Sequence, residues 1–212
     1  MVTDRDGVLD AALVTAAAAF SSATLHEAAS QVGALPAAIK PVATSMRLYG
    51  PACTVAGAPG DNLWLHRAMA QAKPGDVLVA TVAGAYEFGY WGGIMTTAAI
   101  AGGLGGLVID GCVRDGDELA ASGFPVFARG RAIRGTAKVA DAPGSINEPV
   151  VVGDVTVAPG DLVVGDADGV VVLARDSVGD VLAAARTRDK KEASIADALR
   201  QGRTTLDVYG WK

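Results

Sequence analysis

Two short stretches carry residue types and spacings that could do chemistry. Gly92-Gly93-Ile94-Met95 stands where a helix is expected to open, and Asp110-Gly111-Cys112-Val113-Arg114-Asp115 stands at the end of the strand expected to follow it. In open α/β sheets ligands collect beyond the carboxyl ends of strands and at helix N-termini, where backbone N–H groups lack acceptors and the helix dipole is positive. Paired glycines let an anion approach the N–H groups of Ile94 and Met95 without interference from a Cβ atom. Arg114 offers a planar fork to a carboxylate, and Asp115 beside it offers oxygen to a hard cation. On spacing alone a second reading stands beside this one: Gly-Gly permits tight packing, and Arg114-Asp115 is a surface pair at a helix start.

Other reactive side chains have weaker contexts. His66 lies among Leu63, Leu65 and Met69 in a predicted helix, as a satisfied, partly buried histidine would, and His26 adjoins Glu27 but points to another helix face. Cys112 is close to Arg114, yet nothing else marks a thiol nucleophile, and Cys53 and Cys112 suit buried thiols better than a disulfide or a zinc site. Lys73 and Lys190 sit in turn or charged contexts without the apolar pocket a Schiff-base lysine needs.

The elements that must position these residues follow from periodicity and breakers. Helices are expected over residues 8–20 and 23–32, the second entered through Ser21, Ser22 and Thr24 and ended by Gly33 and Pro36. Residues 45–57 read as extended, with Gly50-Pro51 as a bend, and Asp61 as the N-cap of a helix running to about Lys73. Strands at 77–82, 106–110 and 125–130 alternate with helices near 92–101 and after Asp115, which implies parallel pairing with helical crossovers. The last third is strand-rich up to a charged helix over 177–201, and TTLDVYGWK reads as a tail. Pro74-Gly75-Asp76 and Pro159-Gly160-Asp161 introduce similar apolar runs and read as one turn solution used twice.

At 212 residues, half of them hydrophobic and 19% charged, the chain is long enough for one well-buried domain, taken as residues 1–212. A net charge of −5 without a basic stripe argues against nucleic acid as a partner. The longest apolar stretch, from Ala98 to Ile109, is too short to span a membrane, and Asp4, Asp6 and Asp10 interrupt any signal-peptide core, so a cytoplasmic protein is expected.

The segments ATLHEA (23–28), GDN (60–62), KPGDVLV (73–79), GYWGGIM (89–95), VIDGCVRD (108–115), FPVFARG (124–130), APGDLVVGDADGVVVLAR (158–175), KKEA (190–193) and LDVYG (206–210), in this order, resemble the 4-hydroxy-4-methyl-2-oxoglutarate / 4-carboxy-4-hydroxy-2-oxoadipate aldolases. These are class II pyruvate aldolases related to the RraA proteins that regulate ribonuclease E. The resemblance implies an α/β fold, the swivelling β/β/α domain of RraA-like proteins. It also implies a homotrimer or hexamer with sites between neighbours, and a divalent metal, Mg or Mn.

By the same resemblance, Arg114 and the N–H groups of Ile94 and Met95, at the Gly92-Gly93 turn, bind the pyruvyl part of a small 2-oxo acid. Asn62 contacts its far end and Asp115 ligates the metal. Glu27 and Glu192 match acidic residues near the metal and its waters, Glu192 reaching in from a neighbour. One departure stands out: the aldolases usually carry an acid where this chain has Gly93. Glu118, three residues after Asp115 and so on the same helix face, is the expected replacement. The resemblance implies cleavage of 4-hydroxy-2-oxo acids to pyruvate, with oxaloacetate decarboxylation through the same enolate. The alternative it leaves is an RraA-like regulator that binds and inhibits ribonuclease E without catalysis.

Overall fold

The computed structural model describes residues 9–211. Two short helices come first, α1 (Ala11–Ala17) and α2 (Ser22–Ala28). They are followed by β1 (Lys40–Pro41), β2 (Leu48–Ala56), α3 (Leu63–Met69), β3 (Val77–Thr81), α4 (Gly93–Ala101), β4 (Gly106–Val113), α5 (Gly116–Ala121) and β5 (Val126–Arg131). Short strands then dominate: β6 (Ser145–Ile146), β7 (Val150–Val152), β8 (Val155–Val157), β9 (Leu162–Asp166) and β10 (Gly169–Leu173). The long helix α6 (Val178–Arg200) and the short α7 (Thr205–Tyr209) close the described chain.

Strands β2, β3, β4 and β5 pair in parallel in that order, as the alternation of strands and helices predicts. Antiparallel strands extend both ends, β9 and β10 beyond β2 and β1 beyond β5. β1 comes back against β10, where the Lys40 ammonium donates to the Asp168 carbonyl, so the mixed sheet nearly closes into a barrel. β2 serves two neighbours along its length: Leu48–Pro51 pair with β9, and from Ala52 onward it pairs with β3. The change falls at Pro51, which has no N–H to give.

The apolar runs of the central strands are buried on both faces, and their period of two sorts them into layers. Val77, Val79, Val108, Val163, Val170 and Val172 point into the barrel. Leu78, Ala80, Leu107 and Ile109 meet α3, α4 and α5 outside it, whereas Leu162, Val164, Val171 and Leu173 meet α1, α2 and α6. The repeated turn has one geometry in both copies: Asp76 accepts from Lys73 N–H and Asp161 from Ala158 N–H, each at 2.8 Å, with Gly75 and Gly160 at φ of +86° and +87°.

Several boundaries differ from the sequence expectations. The predicted start of the first helix at Val8 lies outside the described residues. α2 stops at Ala28 instead of continuing to 32, because Gly33 and Leu35 must leave the helix to pair with β10 through Val172 N–H and the Val170 carbonyl. Gly33 is required there, since a Cβ atom would lie 2.0 Å from the Val172 oxygen. α3 ends at Met69, four residues before Lys73, in a turn closed by Gln71 and Ala72 N–H on the Ala68 carbonyl. β4 runs three residues past Asp110, through a register shift between Ile109 and Cys112. The expected tail contains α7, which Thr204 and Asp207 start with a reciprocal capping box.

Candidate active site

Gly92 sits in extended backbone at the N-terminus of α4, and its segment is zipped to the end of β4: Tyr90 N–H donates to the Cys112 carbonyl at 3.0 Å and Arg114 N–H to the Trp91 carbonyl at 2.8 Å. Trp91 is fully buried, stacks on Phe124 and donates to the Thr96 hydroxyl at 2.7 Å, which fixes the first turn of α4. Asp115 caps α5 from the left-handed region, φ +58° and ψ +40°. Asp tolerates that region better than most residues, and the turn it makes brings both Arg114 and Asp115 against α4.

The contacts around the two glycines are close. Gly93 N–H donates to Asp115 Oδ2 at 3.1 Å, and Arg114 Nε lies 3.6 Å from the same oxygen. A Cβ atom on Gly92 would lie 2.3 Å from Asp115 Oδ2, and one on Gly93 would lie 2.1 Å from Glu118 Oε1 and 2.3 Å from Oε2. The Glu118 carboxylate therefore occupies the space that a side chain at position 93 would need. The N–H groups of Ile94 and Met95, in the same first turn, have no acceptor among the described residues.

A cleft of about 270 Å³ opens in front of this corner and is lined by Asn62, Gly92, Ile94, Met95, Arg114 and Asp115, together with His66, Thr136 and Lys138. Asn62 is only 5% exposed; its amide donates to the Tyr90 carbonyl at 2.9 Å, while its Oδ1 is buried with no donor among the described residues. Such an acceptor is costly to leave unmet, and a hydroxyl entering the cleft would satisfy it. Burial, and then the Lys138 ammonium, hold the His66 pKa below its usual value. Lys138 and Thr136 had no role in the sequence expectations, and His66, expected as a satisfied and partly buried histidine, is half-buried but faces the cleft. The signal for Thr136 and Lys138 was the irregular stretch after β5, at a strand's carboxyl end, where loops carry binding groups.

Glu27 and Glu192 are brought to each other rather than to Arg114. Both face Arg188 on α6, with Glu192 Oε1 at 2.8 Å and Glu27 Oε2 at 3.5 Å from its guanidinium, and neither lines the cleft. His26 points away as expected, with Nδ1 3.1 Å from the Val32 carbonyl. Cys53 is buried and Cys112 half-buried, and burial raises the Cys112 pKa against the pull of Arg129, the opposite of an activated nucleophile.

Asp115 lines the cleft and Glu118 lies one helical turn on, over Gly93; two such oxygen donors suit a hard cation keeping most of its waters. Among the described residues no three His, Cys, Asp or Glu side chains converge tightly enough to hold a metal by themselves.

A nearly closed mixed sheet with this corner between α4 and β4 defines a class, and sequence comparison confirms it. The chain belongs to the RraA-like family, whose profile, described as Aldolase/RraA, matches residues 6–172. A relative from Halalkalibacterium halodurans, named "Putative 4-hydroxy-4-methyl-2-oxoglutarate aldolase", is 37% identical over 177 residues, covering 82% of this chain and 83% of that one. An uncharacterised protein from Pseudomonas syringae superposes with a TM-score of 0.81 at 28% identity over 96% of this chain and 99% of its own. RraAS2 of Streptomyces coelicolor, described as an unusual member of the RNase ES inhibitor RraA family, superposes with a TM-score of 0.77 at 26% identity, over 89% and 98% of the two chains.

Proposed function

We propose that this protein is a divalent-metal-dependent lyase acting on 2-oxo acids. It cleaves 4-hydroxy-2-oxo acids such as 4-hydroxy-4-methyl-2-oxoglutarate to pyruvate and a second oxo acid, and it decarboxylates oxaloacetate. The observation that carries this reading is the corner where Arg114, the Asp115 carboxylate and the two unpaired N–H groups of α4 converge on one cleft, with the Glu118 carboxylate packed beside it over Gly93.

Asp115 would hold a Mg or Mn ion and Glu118 would orient its waters, in the space over Gly93 that an acid at that position would otherwise fill. When bound, the cation supplies Lewis-acid polarisation of the substrate's keto oxygen. Ile94 and Met95 N–H bind the pyruvyl group, and Asn62 Oδ1 accepts from a hydroxyl at the far end. Loss of the C4 hydroxyl proton lets its electrons form the new carbonyl as the C3–C4 bond breaks. Arg114 then stabilises the enolate oxygen until C3 is protonated to pyruvate. Glu27 and Glu192, reaching in from a neighbouring copy, would hold the water that takes the hydroxyl proton. Asp115 and Glu118 alone are a sparse donor set, which supports a homotrimer or hexamer with shared sites.

The likeness to RraAS2 supports a second reading, a binding protein that inhibits a ribonuclease. Pyruvate release separates the two. Lyase activity predicts pyruvate from oxaloacetate and from 4-hydroxy-4-methyl-2-oxoglutarate with Mg, abolished by EDTA, while no pyruvate from either would leave the regulator.

A further inference from the structure

Residues 132–144 form a strap that leaves β5, crosses the rim of the cleft and brings Thr136 and Lys138 to it before β6 begins. None of its residues is buried; apart from the Arg134 guanidinium, which lies 5.1 Å over the Phe88 ring, it is held by hydrogen bonds. Ala132 N–H bonds the Val113 carbonyl, Gly89 N–H bonds the Arg134 carbonyl, and Ala137 exchanges bonds with Gly60 and Asn62. Its far half is fastened to α3: Trp64 Nε1 donates to the Ala142 carbonyl and Arg67 to the Ala140 carbonyl, each at 2.9 Å.

The shortest of these ties belongs to Asp61. Its carboxylate is 4% exposed and accepts Val139 N–H on Oδ2 at 2.6 Å, while Oδ1 accepts Leu63 N–H at 2.8 Å. One buried carboxylate thus joins the start of α3 to the strap residue next to Lys138 and is itself the neighbour of Asn62. It does not line the cleft.

We propose that Asp61 is a positioning residue that clamps the strap and so sets Lys138 and Asn62 about the substrate. The inference rests on the cleft being the substrate site. A segment held by backbone bonds alone opens locally at low cost, and each tie to a charged acceptor raises that cost. Loosening the clamp makes substrate binding bear the ordering of the strap, whereas bond cleavage at Arg114 and Asp115 proceeds as before. KM therefore rises and kcat does not fall.

Asp61→Ser and Asp61→Asn separate the two functions of the carboxylate. Serine keeps an oxygen within reach of Leu63 N–H but is too short for Val139, and asparagine can accept from one of the two while presenting its NH₂ to the other. Hydrogen exchange of residues 136–142 should quicken about 10-fold or more in both, with α3 less affected in the Ser variant. KM for oxaloacetate should rise by a similar factor, with kcat within about twofold of wild type. Unchanged strap exchange would overturn the clamp, and so would quicker exchange with KM unaltered or a fall in kcat at constant KM. If the wild-type protein makes no pyruvate the lyase reading fails, yet the exchange comparison still decides the clamp. Should the Asp61 variants not fold, Arg67→Ala removes a neighbouring tie: a smaller acceleration of the same segment is expected, and none would contradict the proposal.

Discussion

Asp115 keeps a left-handed backbone that a residue with a Cβ atom adopts at a cost of roughly 1–2 kcal/mol. If that strain serves the site, Asp115→Gly should unfold at a higher temperature than Asp115→Ala, by about 1 kcal/mol of stability, while both are inactive. Equal melting temperatures would remove the strain from the account. Arg114→Ala should cut kcat by about 10²–10³ without lowering the melting temperature, since the side chain is half exposed and its role is to meet developing charge. Lysine should rescue poorly for want of the fork, and near wild-type turnover of the alanine variant would end the assignment. Glu118→Ala should weaken metal activation about 10-fold. Gly93→Asp should displace the exposed Glu118 carboxylate from its place over residue 93 and so gain little in the wild type, yet restore activation where Glu118 is already alanine. Gly93, Arg114 and Asp115 stood out in the sequence because they flank two helix starts with clear breakers, whereas Glu118 entered only through the resemblance to the aldolases, which usually carry an acid at the position of Gly93. Lys138 and His66 did not stand out: one sits on an aperiodic strap, and the other's apolar neighbours in sequence hid its open side.

At the scale of elements, the strand and helix types follow from apolar runs and glycine breakers, and the misread boundaries are those where a distant partner decides. α2 is short because its continuation is needed at the edge of β10, and β4 is long because the Tyr90-Trp91 segment zips to its end through Cys112 and Arg114. α2 is itself pinned from afar. Asp166, at the end of β9, accepts from Ser22 N–H and Ser22 Oγ at 2.7 Å each and from Asp168 N–H at 3.1 Å. Burial pushes its pKa up, but these bonds and the nearby Arg47 outweigh burial and leave it below the usual carboxylate value of 3.8. A carboxylate with a lowered folded pKa stabilises the fold above its unfolded pKa and loses that contribution as pH falls through the folded one. Acid titration below about pH 4 should therefore destabilise the wild type more than Asp166→Asn, which at neutral pH should cost about 1–3 kcal/mol. Parallel acid profiles would place the acid sensitivity elsewhere.

At the scale of the whole molecule, no described helix is long and apolar enough to cross a membrane. Ile94, Ile133, Leu206 and Trp211 are more than half exposed, two of them on elements that carry the cleft and two at the C-terminal end. Shared sites predict that mixing inactive Arg114 and Glu192 variants restores part of the activity through hybrid assemblies. A monomer in light scattering, or no recovery after confirmed subunit exchange, would contradict that. The central claim is that the cleft makes pyruvate enolate, and this can be tested without knowing the physiological substrate. In D₂O with Mg, the protein should exchange the methyl protons of pyruvate, seen as loss of the methyl signal in proton NMR. EDTA and Arg114→Ala should each prevent it. A methyl signal that persists with the wild-type protein and Mg, or exchange that survives Arg114→Ala, would contradict the account.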